Sequence, residues 1–398
     1  MRFLILLVPV LALAQFDQRP PYNGPQFATQ LNGTSQYWSK SSPTGLDLNG
    51  AEKLPNPGFE ANTTGWAGET GLSLARNTNL DRVRTGVGSA ACRSDGTAAG
   101  ILRLASGQVS DATTNKFTSE AWVFLPTTNA SDSVRLYLAD QTGATFSIGT
   151  TVEPTKGAWT KLVLNSQAAG TQTGLRLAIQ FRNPTAGDSL YVDDVSLTQA
   201  YDAVVMAVVN QAVTSASSKV IFTYRGTSTG PRYTLYSTAT TDLFAFQLDD
   251  SIATVSQVTG GTSLVTGSYR LIGCTIDRTG NAVKYLDGSA IQTSSVVAIG
   301  KIASTAATQA TLGDNSGGTA FFPGSIGPVM VVRFDALPSD IANMIAYVSA
   351  TWRRKGFPKT IGNGTTVLYV DWNPAGLDES GQANTLTPVA GAGTVKIR

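Results

Sequence analysis

Apolar residues in this chain recur at every second position, seldom at every third or fourth. Its folded units must therefore be sheets with one buried face each. FTSEAWVF puts Phe117, Ser119, Ala121 and Val123 on one side. Thr118, Glu120, Trp122 and Phe124 take the other. VRLYLAD sets Val134, Leu136 and Leu138 against Arg135 and Tyr137. LRLAIQFR sets Leu175, Leu177, Ile179 and Phe181 against Arg176, Gln180 and Arg182. Turns rich in Gly, Thr, Ser and Asn separate such runs. One segment, 337–358, departs from the pattern. Ile341, Met344, Ile345 and Val348 make a helical stripe there, Ser339 is a plausible N-cap, and Gly356 and Pro358 stop it. The expectation is an all-β protein of two β-sandwiches with one short C-terminal helix.

Several function classes are excluded or disfavoured by composition. The net charge is +2, so nothing resembles the basic footprint of a nucleic-acid or anionic-membrane binder. The chain has no histidine, which removes Ser-His-Asp and Cys-His nucleophile systems and His-based zinc sites. No Asp or Glu has another two positions away, so no strand presents two carboxylates to one cleft. Carboxylates on different strands remain a route to hydrolysis. No glycine loop cradles a phosphate between a strand and a helix.

Residues 1–14 read as a secretory signal: one Arg, an apolar run from Phe3 to Leu13, and Ala12-Leu13-Ala14 before cleavage at Gln15. The run is too short to span a bilayer, and no later segment is long and apolar enough. The expected location is outside the cell or at its surface. Cys92 and Cys274 both lie in strand-like runs and read as two buried thiols rather than a bridge.

Between residues 54 and 197, NPGFEANTTGW, VRTGVGSAAC, GAWTKLVLNS and LYVDDVSL follow in one order. This resembles the carbohydrate-binding modules of families four, nine and twenty-two, which are jelly rolls. The flanks resemble something else. LNGTSQYWSKSSPTGLDLNGA before it, and YDAVVMAVVN, IDRTGNAVKYLDGSAI and FFPGSIGPVMVVRFDALPSDIANMI after it, are similar to a laminin-G or concanavalin-A-like sandwich. The resemblance implies that residues 15–51 and 200–358 form a discontinuous sandwich, with a jelly roll inserted at 52–199. The tail, 359–398, resembles the opening strand of laminin-G-like sandwiches, but at the wrong end of the chain. It either folds back as an edge strand or pairs with another molecule.

The resembled modules carry a structural calcium. Carried over, its ligands are the Gly58 carbonyl, Glu60, a carbonyl near Gly86, and Asp193. Asp193 shares a face with Val195 and Leu197, so its carboxylate is expected to be buried. The plainer alternative is that Glu60 caps a turn and that Asp193 and Asp194 are solvated.

Sugars offer apolar C–H faces and rings of hydroxyls, which suit aromatic rings and planar polar groups. On parity, Trp122, Tyr137, Glu120, Arg135, Gln180 and Arg182 make one such platform on the inserted module, while Trp66 and Trp159 read as packing residues. Tyr224, Tyr233 and Tyr236 are candidates for a second, weaker site. The leading expectation is a secreted, non-catalytic glycan-binding protein. The alternatives are a structural or adhesive module of an appendage, fibre or virion, and a glycoside hydrolase.

Overall fold

A computed structural model describes residues 26–397 except 32–34, 36, 42, 44, 69–70, 97–100, 107–114, 131–132, 141–144, 168–173, 226–231, 303–307, 315–319, 356, 371–386 and 390–392. The expected signal segment lies outside the described residues.

Strands run through the described residues, as the alternation leads one to expect. The first three are β1 (Gln26–Gln30), β2 (Tyr37–Ser41) and β3 (Asn49–Glu52). Then come β4 (Trp66–Gly68), β5 (Leu72–Asn77), β6 (Ser89–Ser94), β7 (Ile101–Ser106), β8 (Lys116–Phe124), β9 (Ser133–Asp140), β10 (Thr145–Ile148), β11 (Trp159–Gln167), β12 (Leu175–Arg182) and β13 (Ser189–Ala200). The remainder are β14 (Asp202–Gln211), β15 (Lys219–Arg225), β16 (Arg232–Ser237), β17 (Phe244–Asp249), β18 (Thr254–Gln257), β19 (Arg270–Ile276), β20 (Asn281–Leu286), β21 (Ser289–Ser295), β22 (Gln309–Leu312), β23 (Gly324–Phe334), α1 (Ile341–Lys355), β24 (Thr365–Val370), β25 (Thr387–Val389) and β26 (Gly393–Ile397).

Four antiparallel sheets make two sandwiches. The inner sandwich stacks β10-β9-β12-β7-β4 on β11-β8-β13-β6-β5, with β3 added beside β13. The outer sandwich stacks β21-β20-β19-β14-β23-β1-β26 on β18-β17-β16-β15-β22-β2-β25, with β24 also paired to β23. Strands from before and after the inner sandwich thus share the outer one: β1 pairs with β23, and β2 with β22. The tail takes the fold-back course, β26 lying antiparallel to β1 and β25 to β2 in the same chain.

The two sheets of the outer sandwich have different outer faces. The β14-containing sheet is buried on both sides. Val205, Ala207 and Val209 face the other sheet, while Val204, Met206 and Val208 pack with Ile341, Met344, Ile345, Val348 and Trp352 of α1. That explains why VVMAVV is apolar without alternation. Among the described residues no helix packs on the outer face of the β15–β17 sheet.

The sandwiches join through buried polar groups. Arg278, wholly buried, donates from Nη2 to Thr118 of β8 at 3.2 Å and to the Ile299 carbonyl at 3.1 Å. Burial pushes its guanidinium down to about 10, against the opposing pull of Glu120, Asp250 and Asp202. Lys116 Nζ lies 2.6 Å from both Asp202 and Asp277.

Both cysteines are free and buried, and burial pushes the Cys92 thiol up to about 12.

Candidate functional site

The six residues expected to form one platform are divided between two sheets. β8 belongs to the β11-β8-β13 sheet, whereas β9 and β12 pair with each other in the opposite sheet. Alternation sorts side chains into inward and outward but does not say which sheet a strand joins, and the two outward faces point away from each other. Arg135, Tyr137, Gln180 and Arg182 do stand on neighbouring strands, with Arg135 opposite Gln180 and donating to it through Nε. Tyr137 and Gln180, however, are only 3% and 2% exposed.

Glu120 and Trp122 are otherwise engaged. Glu120 faces the outer sandwich, accepts the Lys301 N–H and lies 2.9 Å from Lys161 Nζ. Trp122 lies beneath the Arg84 guanidinium, 3.7 Å from ring centroid to Cζ, and Arg84 is ion-paired with Asp194. Trp66 packs on Phe59 at 5.3 Å, and Trp159 on Phe124 at 5.6 Å.

The residues expected to hold calcium converge on one turn. Glu60 accepts the Val87 N–H at 2.7 Å, and its carboxylate lies so close to Gly86 that a Cβ there has no room. Gly86 also has φ +68°, the left-handed region that favours glycine. Asp193, wholly buried, grips the same turn by accepting from Arg84 N at 2.9 Å and Thr85 N at 3.3 Å. Burial pushes its carboxyl up to about 6, partly offset by those N–H donors. Arg76 spans the other side. Its Nε reaches the Phe59 carbonyl at 3.2 Å and its Nη2 the Val87 carbonyl at 3.2 Å, with the Glu60 carbonyl also accepting. Among the described residues no three acidic, histidine or cysteine side chains gather as a metal cage. A cation here would draw on Glu60, Asp193 and backbone carbonyls, hard oxygens of the kind calcium takes.

The open face of the β15–β17 sheet holds a cleft of about 430 Å³. Strand alternation builds it. Phe222, Tyr224, Tyr233, Leu235, Phe246 and Leu248 face the core, so Thr223, Arg225, Thr234, Tyr236 and Gln247 face outward into the cleft. Arg225 and Arg232 are partners across the base of the β15–β16 hairpin. Thr223 and Thr234, the next outward pair, share a hydrogen bond of 2.7 Å. A bulge between Val220 and Phe222 lets Ile221 stay in the core while Val220 joins Tyr236 on the cleft wall.

Of the three tyrosines singled out from sequence, only Tyr236 lines the cleft. Tyr224 and Tyr233 are core residues, 5.2 Å apart, and the Tyr233 hydroxyl donates to the Leu46 carbonyl at 3.0 Å. Tyr233 and Tyr236 sit three apart on one strand, so they cannot share a face. The arginines and Gln247 were missed, although YRGTSTGPRY places Arg225 and Arg232 at mirror positions around a hairpin turn.

Residues 184–342 match the family model of the concanavalin A-like lectin/glucanases superfamily, laminin G type. The fold is lectin-like. The matched span runs from just before β13 through β23 and into α1, and so covers the cleft of the lectin-like sandwich. Among solved structures, a family 61 carbohydrate-binding module in complex with β-1,4-galactotriose is 16% identical. It covers 38% of this chain and 99% of that one, at a TM-score of 0.30. The CBM22-1 xylan-binding domain from Paenibacillus barcinonensis is also 16% identical, with 38% and 98% covered and a TM-score of 0.30. The enzymatically active domain of tailspike protein 4 from bacteriophage CBA120 is 13% identical, with 37% and 21% covered and a TM-score of 0.31. Likenesses this distant do not say what this chain binds. No curated protein matches it in sequence.

Proposed function

We propose that this protein binds carbohydrate without cleaving it, outside the cell, through the open face of its lectin-like sandwich. The cleft on that face carries the reading. It sets an aromatic ring, Tyr236, beside the Gln247 amide and two guanidiniums, groups that suit a sugar's apolar face and its hydroxyls. The non-catalytic part rests on chemistry: among the described residues that line the cleft there is no carboxylate, and glycoside hydrolysis needs two flanking the bond. A structural calcium is part of the proposal. Gly58, Glu60, Gly86 and Asp193 would hold it, and it would tie the opening loop to the 84–87 turn and to β13.

Affinity electrophoresis of the full chain through gels cast with a panel of polysaccharides tests the reading. Retardation by at least one polysaccharide, reduced by Tyr236→Ala, with no release of reducing sugar, is the expected result. Mobility unchanged across the panel contradicts binding, and reducing-sugar release contradicts the non-catalytic part.

A further inference from the structure

The cleft holds an arrangement that a site for neutral sugar does not require. Arg225 and Arg232 face each other across adjacent strands, and like charges placed so are mutually destabilising. The cost is visible at Arg225, whose guanidinium is pushed below its usual range by burial and then by Arg232, with Asp314 opposing. Acid offsets part of this: Asp249 pairs with Arg232, accepting from its Nη2 at 3.2 Å as well as from Ser251 N at 2.6 Å and Thr254 Oγ1 at 3.0 Å. Arg232 Nε is buried and has no hydrogen-bond partner among the described residues. A buried donor left unpaired costs free energy.

We propose that the cleft is a site for acidic glycans, taking the carboxylate of a uronic acid residue at the Arg225–Arg232 pair while the sugar ring packs toward Tyr236. This rests on the glycan-binding reading above and names its ligand class. A carboxylate is planar, as a guanidinium is, and two parallel N–H···O bonds join them in a fork. It would also screen the repulsion between the two arginines. Gln247, on the same outward face, offers an amide to the ring hydroxyls, while the Thr223 and Thr234 hydroxyls are buried and bond to each other. Lysine would keep the charge but lose the fork.

The test is isothermal titration calorimetry of the full-length protein with oligogalacturonate, its methyl ester, a neutral oligogalactan and a sulfated galactan, each at two salt concentrations. The expected result is binding to oligogalacturonate, weakened tenfold or more by methyl esterification and by higher salt. Arg232→Lys and Arg225→Lys should each weaken it by about tenfold, while melting curves show the variants folded. Equal binding of the ester, tightest binding to the sulfated galactan, or affinity unchanged in both folded arginine variants overturns the proposal. If the neutral glycan binds in a Tyr236-dependent way and the arginines do not matter, the acidic-glycan inference fails and the glycan-binding reading stands. If none of these four ligands binds, this inference falls, and the polysaccharide panel decides the wider reading.

Discussion

Lys116 of the inner sandwich and Asp202 of the outer one meet with Nζ and Oδ2 2.6 Å apart, both side chains almost wholly buried. Lys116 also reaches Asp277, and Asp202 accepts from Arg278 N at 2.8 Å and Leu337 N at 2.8 Å. The junction between the sandwiches is thus held by a largely buried polar network. Removing one partner leaves an uncompensated buried charge, at a cost of about 3–5 kcal/mol. Lys116→Met should lower stability by about that amount at pH 7 in urea denaturation. The loss should shrink at pH 4, because burial already holds the Asp202 carboxyl above its ordinary range and the proton it takes there removes the stranded charge.

The division of the chain into strands was legible in its alternation, and so was the helix, because Ile341, Met344, Ile345 and Val348 had one periodic stripe to bury. Which sheet each strand joined was not. Phe117, Ala121 and Val123 were placed inward correctly. Trp122 and Tyr137 were given one face because parity carries no information about pairing partners, which are set by long-range contacts. Arg278 illustrates the limit from another side. In sequence it belongs to a polar turn, IDRTG, yet it is wholly buried and bonds across to Thr118 of the inner sandwich. The cleft arginines are readable in principle, since both flank one hairpin at outward positions.

Asp193 should make stability depend on pH. Its carboxyl is raised from 3.8 to about 6, so the folded state holds a proton that the unfolded state has lost between those values. This stabilisation is complete below pH 3.8 and is lost as pH rises to about 6, an effect on the order of 3 kcal/mol. Asp193→Asn should flatten that part of the profile. If calcium binds here, adding it should also flatten the profile by favouring the charged carboxylate, and a chelator should restore it and lower the melting temperature above pH 6. Identical melting curves with calcium and with chelator would remove calcium from the account.

Arg76 holds three carbonyls, those of Phe59, Glu60 and Val87. Phe59 is fully buried with φ +54°, a conformation uncommon for a bulky residue, so its loop needs support. Arg76→Ala should destabilise the protein by about 2 kcal/mol, and Arg76→Lys by nearly as much, because one ammonium cannot span the three acceptors. Thermal denaturation of both variants checks this.

Trp122 was expected to bind sugar. Stacked under Arg84, it is better placed to brace the Arg84–Asp194 pair. Trp122→Ala should cost about 1 kcal/mol of stability and leave glycan affinity within twofold of the parent. A tenfold loss of affinity in a folded Trp122→Ala protein would return the site to the inner sandwich.

The central claim is that ligand meets the open face of the β15–β17 sheet. Hydrogen–deuterium exchange of the full chain, with and without a polysaccharide that retards it, reads this directly. Protection gained along Lys219–Arg225, Arg232–Ser237 and Phe244–Asp249 is the predicted result. Protection confined to Ser133–Asp140 and Leu175–Arg182, on the inner sandwich, would contradict it.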